Sequence, residues 1–132
     1  MADYTVKQFD QMESIFGETF RRARAELGVT SFGMQFMSLV PGGFYPNHDH
    51  EGDNQEEVYI AIDGGAEFDI EGEKIRLEPG SALRVGPGTK RHIAPDPGGF
   101  RMIALGGVPG GVYTAPEFTE LGGPEPVPPA QD

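Results

Sequence analysis

Cysteine is absent from this chain of 132 residues, and so are long apolar runs. The first absence excludes disulfide bonds and leaves the redox compartment undetermined. The second argues against a membrane-spanning helix, which needs about 20 apolar residues. The first residues, MADYTVK, also lack the apolar core of a signal peptide. We therefore expect a cytoplasmic protein of one domain, long enough to form its own apolar core.

Basic residues are scarce, with 10 Lys and Arg against 21 Asp and Glu and a net charge of −11. A charge of this sign argues against nucleic acid or an anionic membrane as a partner. Part of the basic set nonetheless falls in one stretch: Arg84, Lys90, Arg91 and Arg101. These side chains could hold an anionic substrate group, or they could face outward and pair with surface acids.

Residues 1–30 are predicted to be a helical segment. Asp10 and Glu13 have the spacing of a capping box, and Gly28 is a typical helix stop. Apolar residues recur at helical spacing between these ends: Met12, Ile15, Phe16, Phe20, Ala23 and Leu27. This stripe predicts one N-terminal α-helix that covers a sheet end or a dimer partner.

Residues 31–113 carry only strand and turn signals, and glycine-rich turns separate short β-type stretches. The predicted strands are 31–40, 57–62, 66–70, 73–77, 82–85, 91–94 and 100–105. This spacing predicts a small all-β sandwich or barrel. Residues 114–132 are rich in proline and predict an extended tail that becomes disordered beyond about Leu121.

The three histidines of the chain have positions that suit one metal centre. His48 and His50 share a face if the chain is extended, because strand side chains alternate. Glu57 and His92 could add a carboxylate and a third imidazole from neighbouring strands. Such a set suits a divalent transition metal: iron, manganese, zinc, nickel or copper.

Around these residues the chain resembles the cupin superfamily, whose members are small jelly-roll β-barrels. In the first cupin motif, five residues separate a glycine from HxH, and six residues separate a glutamate from a second glycine. Here Gly42 precedes His48 and His50, and Glu57 precedes Gly64, at those spacings. Six residues rather than three or four separate the HxH pair from the glutamate. The resemblance implies a cupin-type jelly-roll barrel with a metal held by the motif residues.

The second cupin motif is less regular, since its histidine position, counted from Gly88, falls on Arg91 and His92 is one residue late. A slip of one residue on a strand turns the side chain to the other face. Either a bulge restores His92 to the interior, or Arg91 points inward and His92 outward. The first alternative gives a four-ligand centre, and the second gives a 2-His-1-carboxylate centre with open positions.

Several residues near the motifs are candidates for ligand contacts. Gln55 and Tyr59 share strand parity with Glu57, and Arg91 or Arg101 could anchor a substrate carboxylate. The resemblance covers residues 31–105, and the flanking segments look like those of small single-domain bacterial cupins of unassigned activity. It therefore implies the fold far more than the function.

Two classes of function are open. The first is a metal-dependent oxidoreductase of dioxygenase type that acts on a small chelating metabolite such as a keto acid or diketone. The alternative is a cupin that binds or senses a sugar or metabolite, or a sugar isomerase or epimerase, with a weak or non-catalytic metal site. In both cases we expect a small-molecule ligand and a homodimer built with the N-terminal helix, the strand at Ser31 and the tail.

Overall fold

The structure is a computed structural model that describes residues 2–43 and 54–126. The predicted ligands His48 and His50 lie outside these residues. The described residues form seven strands, one short α-helix and two 3-10 turns, at Phe9–Gln11 and Glu117–Thr119. The strands are β1 (Ser14–Ile15), β2 (Phe20–Arg21), β3 (Gly33–Leu39), β4 (Glu56–Ile70), β5 (Glu73–Leu77), β6 (Ala82–Val85) and β7 (Arg91–Gly107), and the helix is α1 (Ala23–Leu27).

All strand pairs are antiparallel among the described residues, and the order across the sheet is β1-β2-β3-β7-β4-β5. Strand β6 also pairs with the first half of β4. None of the helices in this part of the chain is long and apolar enough to cross a membrane. The prediction of an all-β architecture with one helix is confirmed.

The two long strands, β4 and β7, pair along most of their length. Residues near the start of β4 pair with the end of β7, whereas Ile70 at the end of β4 pairs with Arg91 at the start of β7. The pairing shifts between Ala61 and Ala66, where Gly64 has a φ of 70° and an added Cβ would lie 2.1 Å from the carbonyl oxygen of Gly99. Only glycine fits such a close approach.

The sequence predicted two separate strands in place of β4 and two in place of β7. The structure joins each pair, because an irregularity in the ladder bends a strand without ending it.

Buried side chains of these strands and their neighbours form the core: Met37, Leu39, Tyr59, Ala61, Ala66, Phe68, Leu77, Val85, Ile93, Phe100, Met102 and Ala104.

The predicted helix between Asp10 and Gly28 is wrong in extent, since α1 covers only Ala23–Leu27. The preceding residues form the β1–β2 hairpin, whose turn has Phe16 and Gly17 at positive φ, 55° and 68°. A right-handed helix cannot continue through residues in the left-handed conformation. The apolar residues in this part of the chain therefore belong to a hairpin and not to a helix.

The C-terminal segment packs on this N-terminal region and forms a terminal latch with it. The latch consists of Glu13, Arg22, Phe118 and the glycines at 122–123. Arg22 pairs with the carboxylate of Glu13, and its Nε and Nη2 donate to the carbonyl oxygens of Phe118 and Gly123 at 2.9 and 3.0 Å. The amide of Gly122 donates to Glu13 Oε1 at 2.7 Å. The docked part of the tail therefore continues beyond Leu121.

Candidate functional site

Glu57 begins the candidate site, because it places a carboxylate inside the barrel. It is 8% exposed, near the start of β4, and its neighbour on the same face, Tyr59, is 1% exposed. The Tyr59 hydroxyl donates to Glu57 Oε1 at 2.5 Å. A buried carboxylate is costly unless it is hydrogen-bonded or paired, so this contact helps to hold it in place.

Arg91 reaches the same carboxylate from the first residue of β7. Its side chain is fully buried, and its Nη2 lies 3.6 Å from Glu57 Oε1. Its Nη1 donates to the carbonyl oxygen of Thr89 at 2.9 Å, and its guanidinium carbon lies 6.0 Å from the centre of the Tyr59 ring. One backbone carbonyl and one aromatic ring thus hold the guanidinium beside the carboxylate.

The bend of β4 explains how these two residues meet. Arg91 pairs in the ladder with Ile70, and Glu57 lies thirteen positions away on the same strand. A straight strand would separate those positions by roughly 40 Å. The 3.6 Å contact shows that the β4–β7 ribbon folds back on itself. The site is therefore built between two walls of the barrel.

Two nitrogen atoms of Arg91 lack a hydrogen-bond acceptor within residues 2–43 and 54–126: Nε and Nη2. The 3.6 Å separation from Glu57 is an ion pair and is too long for a hydrogen bond. Buried charged donors without acceptors are rare in folded proteins, so these two atoms require an explanation.

His92 lies on the other face of β7 from Arg91. Its neighbours Arg91 and Ile93 are 0% and 2% exposed, while His92 is only half-buried and pairs across the ladder with Asp69. The pKa of Asp69 is lowered mainly by the hydrogen bond from Lys74, then by the amide of Gly72, with a smaller contribution from His92. The sequence left two orientations open. In the structure the side chain of Arg91 points inward and that of His92 points to the other face.

His92 instead lines a cleft of about 280 Å³ between the end of β3 and the start of β7. The cleft is mostly apolar, and its lining includes Thr19, Leu39, Pro41 and Pro95. No group of three or more His, Asp or Glu side chains suited to a metal occurs among the described residues, which do not include the HxH pair. In the described part of the chain, His92 is therefore not part of a metal-binding cluster.

Gln55 is buried, at 6% exposure, as its parity with Glu57 and Tyr59 predicted. It lies against the backbone of β7, since a Cβ added to Gly106 would be 2.5 Å from Gln55 Oε1. Glycine at 106 leaves the space that this amide occupies. Gln55 thus precedes Glu57 by two residues and lies next to β7 at Gly106.

The other basic residues singled out in the sequence lie away from Glu57. Arg101 is exposed and lies over Phe36, with its guanidinium carbon 4.8 Å from the ring centre, and Phe9 also stacks on Phe36, with the ring centres 4.2 Å apart. Arg84 makes an exposed ion pair with Glu56 at 2.8 Å. Both arginines therefore face outward, which is the second of the two alternatives that the sequence left open.

The donor set can be compared with what a metal requires. Glu57 supplies a buried carboxylate, and Arg91 occupies the place where the family motif has an imidazole. A guanidinium does not ligate a cation, so the residues do not fit a centre with four protein ligands. Two imidazoles with one carboxylate are a recognised set for transition metals, and a centre of His48, His50 and Glu57 stays a prediction, because both histidines lie outside the described residues.

The comparisons with known proteins concern the fold. The cupin domain family matches residues 35–104, a little over half of the chain. A cupin protein from Bacteroides fragilis, BF4112, is similar at 24% identity with a TM-score of 0.66, and the match covers 88% of this chain and 93% of that one.

Two further solved structures are similar over a shorter length. A cupin superfamily protein from Desulfitobacterium hafniense, DSY2733, has 22% identity and a TM-score of 0.52, covering 59% of this chain and 68% of its own. KdgF from a Halomonas species has 25% identity and a TM-score of 0.50, covering 59% and 69%. No curated protein matches the chain significantly. Because the family matches more than half of a chain whose strands fold into this bent barrel, the chain belongs to the cupin superfamily, as its motifs indicated.

Proposed function

We propose that this cupin binds a small metabolite inside the barrel, next to a divalent transition metal held by His48, His50 and Glu57. The observation that carries the proposal is the buried cluster of Glu57, Tyr59 and Arg91, in which a carboxylate of the family motif faces the interior. With three protein ligands, such a centre leaves positions open for a chelating substrate.

Tyr59 and Arg91 both act on Glu57 in this proposal. Tyr59 holds one oxygen of Glu57 by its 2.5 Å hydrogen bond and so orients the carboxylate. Arg91 balances the charge of that carboxylate and offers its remaining donors to the ligand. The buried surroundings exclude water, which strengthens both interactions.

The reaction class that we propose is an oxidation of dioxygenase type on a keto acid, diketone or related chelating metabolite. The metal, when bound, would polarise such a substrate or provide a place for dioxygen. The test is aerobic turnover of keto acids, diketones and flavonol-like compounds by protein that is loaded in turn with iron, manganese, nickel, copper or zinc. If no metal supports turnover of any of these compounds, the oxidoreductase proposal is withdrawn.

The metal centre itself is tested by elemental analysis of the purified protein and of three variants. We expect near-stoichiometric metal in the wild type and in His92→Ala, and a large loss in His48→Ala and Glu57→Gln. Loss of metal in His92→Ala would contradict the three-ligand set. His92→Ala is a matched control, because it removes an imidazole on the outer face of β7.

A second candidate function is binding or sensing of a sugar or metabolite without a catalytic metal. The cation of Arg91 beside Glu57 favours it, because a guanidinium in the interior repels a metal ion and already compensates the carboxylate. Ligands that raise the melting temperature of the metal-free protein would support this function. Loss of every ligand effect after chelation would exclude it, and would favour the metal-dependent proposal.

The homodimer and the cytoplasmic location stay predictions. Sedimentation of the full chain at micromolar concentration tests the dimer directly. A monomer under those conditions would contradict it.

A further inference from the structure

We infer that Arg91 anchors a carboxylate group of the ligand through its Nε and Nη2 atoms. The inference assigns a chemical class, small organic acids with a single accessible carboxylate, to the proposed interior site. It rests on that site lying inside the barrel, but it does not depend on whether a metal is bound there.

The positions of the two unpaired donors carry the inference. Nε and Nη2 lie along one edge of the guanidinium plane, where their N–H bonds are parallel, and both lack a hydrogen-bond acceptor in the described part of the chain. A carboxylate accepts two parallel N–H bonds of this kind, and such bidentate pairs are among the strongest hydrogen bonds in proteins. The third nitrogen, Nη1, is already used by the carbonyl oxygen of Thr89.

The guanidinium is also fixed before a ligand arrives. Its hydrogen bond to Thr89 and its place near the Tyr59 ring restrict its rotation, and its side chain has no exposed surface. A pre-organised donor loses little conformational freedom on binding. Leaving two charged donors buried without acceptors costs free energy in the empty site, and a bound carboxylate would recover it.

Glu57 makes the edge selective for a singly charged group. Its Oε1 accepts a hydrogen bond from Tyr59 and lies 3.6 Å from Nη2, which is too far for a hydrogen bond with the arginine. The negative charge of Glu57 disfavours a second strong negative charge close by. A planar monoanion is therefore a better match than a phosphate dianion.

The experiment follows the Nε–H signal of Arg91 by NMR in the full-length protein, both metal-free and zinc-loaded. The probes are acetate, pyruvate and 2-oxobutyrate, each compared with its uncharged amide, together with glucose as an uncharged sugar and inorganic phosphate. We expect the carboxylates, and not the amides, to shift the Arg91 signal. In Arg91→Lys we expect affinity for the carboxylates to fall about tenfold or more, because lysine keeps the charge but loses the parallel donors.

Arg101→Lys is the matched control, because Arg101 lies over Phe36 on the outer face, and it should leave carboxylate affinity unchanged. Equal binding of acids and amides, unchanged affinity in Arg91→Lys, or stronger binding of phosphate would overturn the carboxylate assignment. Binding of uncharged sugars alone, with shifts at the Tyr59 ring, would also overturn it while keeping the interior site. If no probe shifts either Arg91 or Tyr59, both the inference and the proposed interior site fail.

Discussion

Two buried arginines of this cupin have opposite surroundings. Arg22, at 2% exposure, donates to the carbonyl oxygens of Phe118 and Gly123 and pairs with Glu13. Arg91, at 0% exposure, donates to one carbonyl oxygen, and its Nε and Nη2 have no acceptor among the described residues. One guanidinium is satisfied by the protein itself, and the other retains two free donors.

This difference supports our proposal that Arg22 has a structural role and Arg91 a binding role. A buried charge that contributes to the fold needs acceptors in the fold, because its desolvation is otherwise uncompensated. Arg22 meets this condition by joining the two ends of the chain. Arg91 meets it only in part, so the missing acceptors are expected from a ligand.

A third arginine, Arg24, tests the rule. It is 7% exposed, and its Nε and Nη2 also lack hydrogen bonds, but Nη2 lies 3.0 Å from Glu120, whose side chain is 53% exposed. The contact is an ion pair without the geometry of a hydrogen bond. A small rotation of the exposed Glu120 would complete it, which sets Arg24 apart from Arg91.

The largest effect that we expect is on the stability of the Arg22→Met variant. Removing one partner of a buried pair costs about 3–5 kcal/mol, and the partial exposure of Glu13 places this case at the lower end, about 3 kcal/mol. Urea unfolding monitored by circular dichroism measures the loss. Arg84→Met is the control, because it removes an exposed ion pair, and it should change the unfolding free energy by less than about 1 kcal/mol.

The Arg91→Met variant should lose less stability, about 1–2 kcal/mol. It removes one hydrogen bond to Thr89 and an ion pair at 3.6 Å, but it also removes two donors that had no acceptor. The same urea titration in the absence of ligand compares it with Arg22→Met. A loss as large as that of Arg22→Met would break the distinction between the two arginines.

The Arg91→His variant should bind zinc about tenfold more tightly than the wild type, because it replaces a cation with an imidazole at the family's ligand position. Isothermal titration of the metal-free proteins measures the two affinities. Arg101→His serves as the control on the outer face. Unchanged zinc affinity in Arg91→His would mean that Arg91 does not adjoin the metal centre.

The smallest effect concerns the pH dependence of the terminal latch. The amide of Gly122 and then Arg22 lower the pKa of Glu13 from its ordinary value of 4.5. The carboxylate therefore stabilises the fold fully above pH 4.5, and this contribution is lost as the pH falls through the lowered pKa.

Glu13→Gln should accordingly be less stable than the wild type at pH 7, and the difference should shrink as the pH falls below about 4.5. Thermal unfolding between pH 7 and pH 3 provides the measurement. The control Glu18→Gln changes a side chain that is 83% exposed and should follow the wild type. A constant difference at all pH values would show that the Glu13 charge does not contribute to the latch.

Part of this site could be predicted from residue spacing alone. Gln55 directly precedes β4, Glu57 and Tyr59 lie on it at spacings of two, and all three are buried, as the alternation of extended chain predicts. The motif spacing also indicated the cupin family, which the family match confirms. Such inferences depend on neighbours along the chain, and those neighbours are present in the sequence itself.

The helix prediction at the N-terminus was wrong for the opposite reason. The apolar residues between Met12 and Leu27 fit a helix, but burial against β3 selected a hairpin with Phe16 and Gly17 in the left-handed region. Helical spacing is a weak preference, and tertiary packing overrides it. The capping role predicted for Glu13 was replaced by its pairing with Arg22.

By itself the sequence determined the cupin family, the all-β architecture and the shared parity of Gln55, Glu57 and Tyr59, because each depends on short-range spacing. Only the tertiary structure decided that Arg91 faces inward while His92 faces outward, through the pairing of β7 with the end of β4. It also decided which arginine is satisfied, since Arg22 finds its acceptors 96 and 101 residues away. Contacts across such separations depend on how the barrel folds back on itself, and local preference does not specify that path.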